Sequence, residues 1–163
     1  MSTQRIAVYP GVFDPVTLGH MDIIRRGAAL FGRLIVAVAT NPSKQSLFTT
    51  DERLAMVREA VGDTKGVVVD SYEGLTVEYV ARTGASIILR SLRQHSDFDY
   101  EYQLALTNRT ISGIETLFVM ADERVAYISS NLVREVARMG GDVSHLVPKN
   151  VAKALRAKCA ATR

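Results

Sequence analysis

The chain has no tryptophan, four prolines, three histidines and one cysteine among its 163 residues. A lone Cys159 can close neither an internal disulfide nor a multi-cysteine metal site, in keeping with a reducing compartment. No apolar run approaches the roughly 20 residues that span a bilayer. Met1-Ser2-Thr3-Gln4-Arg5 leads into a strand-like run rather than a signal-peptide core, so a cytoplasmic protein without membrane association is expected. Repeats, linkers and low-complexity segments are also missing, which leaves one domain over residues 1–163. Fifteen of the twenty basic residues are arginine, scattered rather than gathered into an arm, and the formal net charge is +3. With no aromatic–basic signature of nucleic-acid recognition, the expected anionic partner is a small phosphorylated ligand.

What is present is an ordinary globular composition, 47% hydrophobic and 23% charged, arranged in short β-branched runs that alternate with helical patterns. Strands are predicted near 5–9, 33–39, 66–70, 86–89 and 115–120, and helices near 20–31, 50–61, 75–83, 96–110, 129–139 and 149–159. Strands separated by single helices imply right-handed crossovers, hence an α/β, Rossmann-like, doubly wound five-stranded parallel sheet with helices on both faces. Thr49 and Glu52 fit a capping box, Gly140-Gly141 a helix stop, and Pro148 the first turn of the last helix. In such sheets ligands bind beyond the carboxyl ends of the strands, so the residues just after each strand are the candidates.

Gly11-Val12-Phe13-Asp14-Pro15-Val16-Thr17-Leu18-Gly19-His20 joins the first strand to the first helix. Unpaired N–H groups at a helix start, at the positive end of its dipole, suit a phosphate. Neither GxGxxG nor GxxxxGK[ST] occurs, so the dinucleotide and P-loop mechanisms are unavailable. Ser129 and Ser130 open the fifth helix with two hydroxyls and free N–H groups, another polyphosphate cradle. Arg90 and Arg93 in Leu89-Arg90-Ser91-Leu92-Arg93 put two forked donors at a strand end. Lys44, in Asn41-Pro42-Ser43-Lys44, follows the second strand.

Taken in order, GxFDPxTxGH, xPSK, RxLR followed by DFxYExQxA, and ISSxLV cover nearly the whole chain. It resembles the bacterial phosphopantetheine adenylyltransferase family of the nucleotidyltransferase superfamily, in which Thr17-Leu18-Gly19-His20 takes the place of the HxGH motif. The resemblance implies adenylyl transfer from ATP to 4'-phosphopantetheine by in-line attack without a covalent intermediate, giving dephospho-coenzyme A and pyrophosphate. It implies Mg2+ as cofactor, a homohexamer, and feedback binding of coenzyme A. By position, His20 meets the α-phosphate, Lys44 and Arg90 hold the acceptor's phosphate, and Arg93, Ser129 and Ser130 hold the β- and γ-phosphates; Gly19 admits the ATP backbone. Val12, Phe13, Ser91, Leu92, Glu101 and the segment Val125, Ala126, Tyr127, Ile128, Ser129, Ser130 and Asn131 line the ATP site. Val12 and Thr76 touch the acceptor.

Three positions depart from the family pattern: Val12 replaces a threonine, Ser91 a glycine and Asn131 a third small hydroxyl residue. If Ser91 needs positive φ, its side chain adds strain that glycine avoids. Two other readings remain open at this point: a sister enzyme acting on nicotinamide mononucleotide or making a CDP-alcohol, and a non-catalytic nucleotide- or coenzyme A-binding module.

Overall fold

The computed structural model describes residues 5–40, 46–93 and 95–160. Five strands alternate with helices: β1 Ile6–Gly11, α1 Leu18–Leu30, β2 Arg33–Thr40, α2 Thr50–Val61, β3 Val67–Glu73, α3 Thr76–Arg82, β4 Ile87–Leu92, α4 His95–Ser112 and β5 Glu115–Met120, followed by α5 Ser130–Arg138 and α6 Lys149–Ala160. All pairings are parallel, in the order β3-β2-β1-β4-β5. Each sequence-predicted element is present. Among the described residues no helix is long and apolar enough to cross a membrane.

Local chemistry accounts for the boundaries. Thr49 and Glu52 form the expected reciprocal cap of α2. Gly140, at φ 85°, follows α5 in a left-handed conformation that a side chain would strain. β4 runs past its predicted end because it stays paired with β5 through Leu92 and Met120. Ser91 therefore lies inside a strand, and Phe13 is the only described non-glycine residue with positive φ. The conditional expectation of strain at Ser91 is not met.

The sheet separates two cores of unequal size. On one face Ile23 and Ile24 of α1, Met56 and Val57 of α2, Val133 of α5 and Leu155 of α6 pack against Ala7, Leu34, Val36 and Leu89. On the other, Val77 and Val80 of α3 pack with Val8, Ile35, Ala37 and Ile88, and α4 lies against β4 and β5.

The site follows from the strand order. β1 pairs with β2 along its whole length, Ile6↔Arg33 through Gly11↔Val38, but with β4 only at Ala7↔Ile87 and Val8↔Ile88. Beyond Val8 the two central strands part, and Pro10 has no N–H with which to bridge them. A crevice opens at the point where the strand order reverses, which is where doubly wound sheets bind ligands.

Candidate active site

The loop after β1 is built from inside. A Cβ on Gly11 would sit 2.9 Å from the Phe13 ring, so a side chain here would displace that buried ring. Phe13, at φ 51° and 2% exposed, sets its ring edge-on to both Tyr9 and His20. Asp14 accepts the backbone N–H groups of Leu47 and Phe48 at 2.8 and 3.0 Å. Buried Arg53 donates to the carbonyls of Val12 (2.6 Å), Ala39 (2.9 Å) and Phe48 (3.3 Å). Arg134 donates to the Asp14 carbonyl, lies 3.4 Å from its carboxylate and bonds the Asn131 amide oxygen.

The loop ends in a cap made by His20. Thr17 is the N-cap of α1; its hydroxyl accepts from His20 N–H, and its own N–H donates to His20 Nδ1 at 3.0 Å. Accepting at Nδ1 leaves the ring proton on Nε2. Burial, reinforced by the Arg93 and Arg90 cations, pulls the imidazole pKa down to about 3. His20 is thus a neutral N–H donor at a helix N-terminus.

Arg90 spans the crevice. Its Nε donates to Glu101 Oε2 at 2.8 Å, Nη2 donates to Glu101 Oε1, and Nη1 donates to the Pro10 carbonyl at 3.0 Å. Burial works against its charge, but the hydrogen bonds to Glu101 outweigh it, and the net effect is a raised pKa. Tyr9, deeply buried nearby, has its phenol pushed up to about 12 by burial.

Two cavities meet at Val12 and His20. The larger, about 840 Å3, is lined by Val12, His20, Thr76, Arg90, Ser91, Arg93, Glu101, Ile128 and Asn131, with Tyr72, Leu75, Tyr100, Leu104 and Ile111 adding more apolar surface. The smaller, about 250 Å3, is lined by Val12, Phe13, Asp14, His20, Arg93, Ser129, Ser130, Asn131 and Arg134. Anion-binding chemistry is concentrated where they join: an imidazole N–H, guanidinium groups and the N-terminus of α5.

The chain matches the cytidylyltransferase-like family over residues 8–136. It is 53% identical to the phosphopantetheine adenylyltransferase of Geotalea daltonii over 155 residues, covering 94% of this chain and 96% of that one. The enzyme of the same name from Syntrophus aciditrophicus is 51% identical, covering 95% of this chain and 94% of the relative. The chain belongs to the phosphopantetheine adenylyltransferase family. Its fold also matches a solved putative nicotinate-nucleotide adenylyltransferase of Vibrio parahaemolyticus, with TM-score 0.68 at 16% identity over 94% of this chain and 91% of the other.

Within this family member, several residues singled out from the sequence also have partners within the chain. Both carboxylate oxygens of Glu101 engage Arg90. A Cβ on Gly19 would meet the Val125 carbonyl at 3.2 Å, so the glycine admits the chain's own β5–α5 loop. Ser130 donates its hydroxyl to the Pro15 carbonyl at 2.9 Å, whereas Ser129 is the N-cap of α5 without a side-chain cap bond. Thr76 shares a 2.8 Å hydroxyl–hydroxyl bond with Tyr72. Leu92, Val125, Ala126 and Tyr127 line neither cavity, and Lys44 lies outside the described residues.

Sequence reasoning missed the residues that hold the loops. Arg53 looks like any helix arginine until its carbonyl partners appear. Asp22, 5% exposed, accepts the Asp122 N–H at 3.1 Å and tethers the loop after β5 to α1. Arg134 directly follows the ISSxLV run, and its bond to the Asp14 carbonyl is seen only in the fold.

Proposed function

We propose that the protein transfers the adenylyl group of ATP to 4'-phosphopantetheine, releasing pyrophosphate and forming dephospho-coenzyme A. The observation that carries this reading is the convergence of His20, Arg90 and Arg93 on one crevice, in a chain about half identical over nearly its whole length to relatives of that name.

The phosphate monoester of the acceptor is already a nucleophile at neutral pH, so the protein's work is alignment and charge stabilisation. The acceptor's phosphate attacks the α-phosphorus in line, a P–O bond forms as the bond to the β-phosphate oxygen breaks, and pyrophosphate carries away the electron pair. His20, neutral, donates through Nε2–H to the α-phosphate as its equatorial charge grows. Arg93 and the Ser129–Ser130 helix start receive the leaving phosphates, while Arg90 and Lys44 hold the acceptor. Among the described residues no three His, Cys, Asp or Glu side chains gather to cage a metal. Mg2+, when bound with ATP, would supply charge neutralisation to the phosphates.

The same proposal includes a cytoplasmic homohexamer that coenzyme A inhibits by occupying the acceptor's place. Pyrophosphate release is the direct test of the chemistry. It is expected with Mg2+, ATP and 4'-phosphopantetheine together, and not with nicotinamide mononucleotide as acceptor. Release with nicotinamide mononucleotide alone, or saturable binding of both proposed substrates without release, would overturn the proposal.

A further inference from the structure

We infer that Glu101 is a positioning residue that acts through Arg90 on the acceptor's phosphate. This rests on the proposed function, in which Arg90 holds that phosphate. Arg90 has five N–H donors, and three are spoken for: two by the carboxylate of Glu101 on α4, one by the Pro10 carbonyl at the end of β1. Those partners come from opposite sides of the crevice, so the guanidinium plane is fixed at three points. Two donors remain on the terminal nitrogens, in a side chain that lines the large cavity.

Glu101 is built for this part. It is 8% exposed, and the fork of Arg90 occupies both its oxygens. A buried carboxylate is costly unless so paired, and here both hydrogen bonds are charge-assisted. The pair is neutral overall, so the acceptor's phosphate meets aimed donors rather than an uncompensated cation. Binding by a pre-aimed fork avoids the cost of immobilising a free arginine side chain when the ligand arrives.

The test combines steady-state kinetics with direct binding of ATP and of 4'-phosphopantetheine to the full chain, in E101Q, E101D, R90A and the double variant R90A/E101Q. E101Q is expected to raise the acceptor's KM and Kd about tenfold while leaving those of ATP within about twofold. E101D, which keeps the charge, should recover part of the loss, and the double variant should be no worse than R90A. An E101Q effect confined to ATP, or losses that multiply in the double variant, would overturn the inference. If R90A itself impairs ATP binding and spares the acceptor, the proposed role of Arg90 fails. In that case losses shared by R90A and E101Q still support the coupling, and independent losses overturn it. Should E101Q unfold, E101D carries the same comparison.

Discussion

The two faces of the sheet meet at one crevice but are made differently. On the α1, α2, α5 and α6 face, the loop from Gly11 to His20 is held by Asp14, Arg53 and Arg134 through hydrogen bonds to backbone groups. On the α3 and α4 face, the wall is largely apolar and open, with Leu75, Tyr100 and Ile111 each more than half exposed while lining the cavity. Transition-state charge is best met by donors that need no rearrangement, which requires a fixed scaffold. An open apolar wall instead supplies contact area to a ligand that must enter and leave. In the proposed mechanism, the difference separates the part of the site that does chemistry from the part that admits substrate.

The largest expected effect comes from removing the donor on the fixed face. H20A should lower kcat by about 100- to 1,000-fold, the usual loss for one donor to a developing oxyanion. Deleting the cap partner of Thr17 should also cost about 1 kcal/mol of stability, visible in denaturant melts. Turnover near the parent value would remove the transition-state role. The depressed pKa makes a second prediction. Because the folded ring resists protonation down to about pH 3, kcat should show no titration of His20 between pH 5 and 9. The unfolded chain takes up that proton near pH 6.5. Its contribution to stability is therefore full above pH 6.5 and falls as pH drops through the window from 6.5 toward 3. An acid limb of kcat near pH 6.5 that disappears in H20A would contradict this.

Next in size is R53M, which leaves the buried carbonyls of Val12, Ala39 and Phe48 without their donor. A loss of about 3 kcal/mol in unfolding free energy is expected, with kcat reduced because the loop that presents His20 loosens. A change under 0.5 kcal/mol would mean that the fixed face does not depend on this clamp. V12T comes third. A hydroxyl placed where the two cavities meet should raise kcat/KM for the acceptor about tenfold, the worth of one hydrogen bond to a charged group. An unchanged value in steady-state assays would show that another group already fills that place. The smallest effect belongs to the open wall: I111N should raise the acceptor's KM a few-fold, roughly the cost of one exposed apolar contact, and leave kcat unaltered. A fall in kcat instead would erase the division between the faces.

Much of the site was legible because its signals are local. The TxGH run had to lie at a strand-to-helix junction, since the apolar run before it and the amphipathic pattern after it fix both elements. The Ser pair at 129–130 had to open a helix for the same reason. Glu101 could be placed near the site by motif but not assigned a partner, because Arg90 lies on another element. Arg53 gave no signal, since an arginine in the first turns of a helix is normally solvated.

The sequence by itself determined the class of fold, the order of elements and the residue types that gather at the crevice. Hydrophobic period, caps and glycine stops act within a few residues, and parallel topology follows from their alternation. Tertiary structure alone decided who is paired with whom. Glu101 with Arg90, Arg53 with three carbonyls and Asp22 with the loop after β5 all join residues distant along the chain or on different elements. Their worth comes from shared burial, and a buried charge or carbonyl finds its partner only when the chain has closed around both.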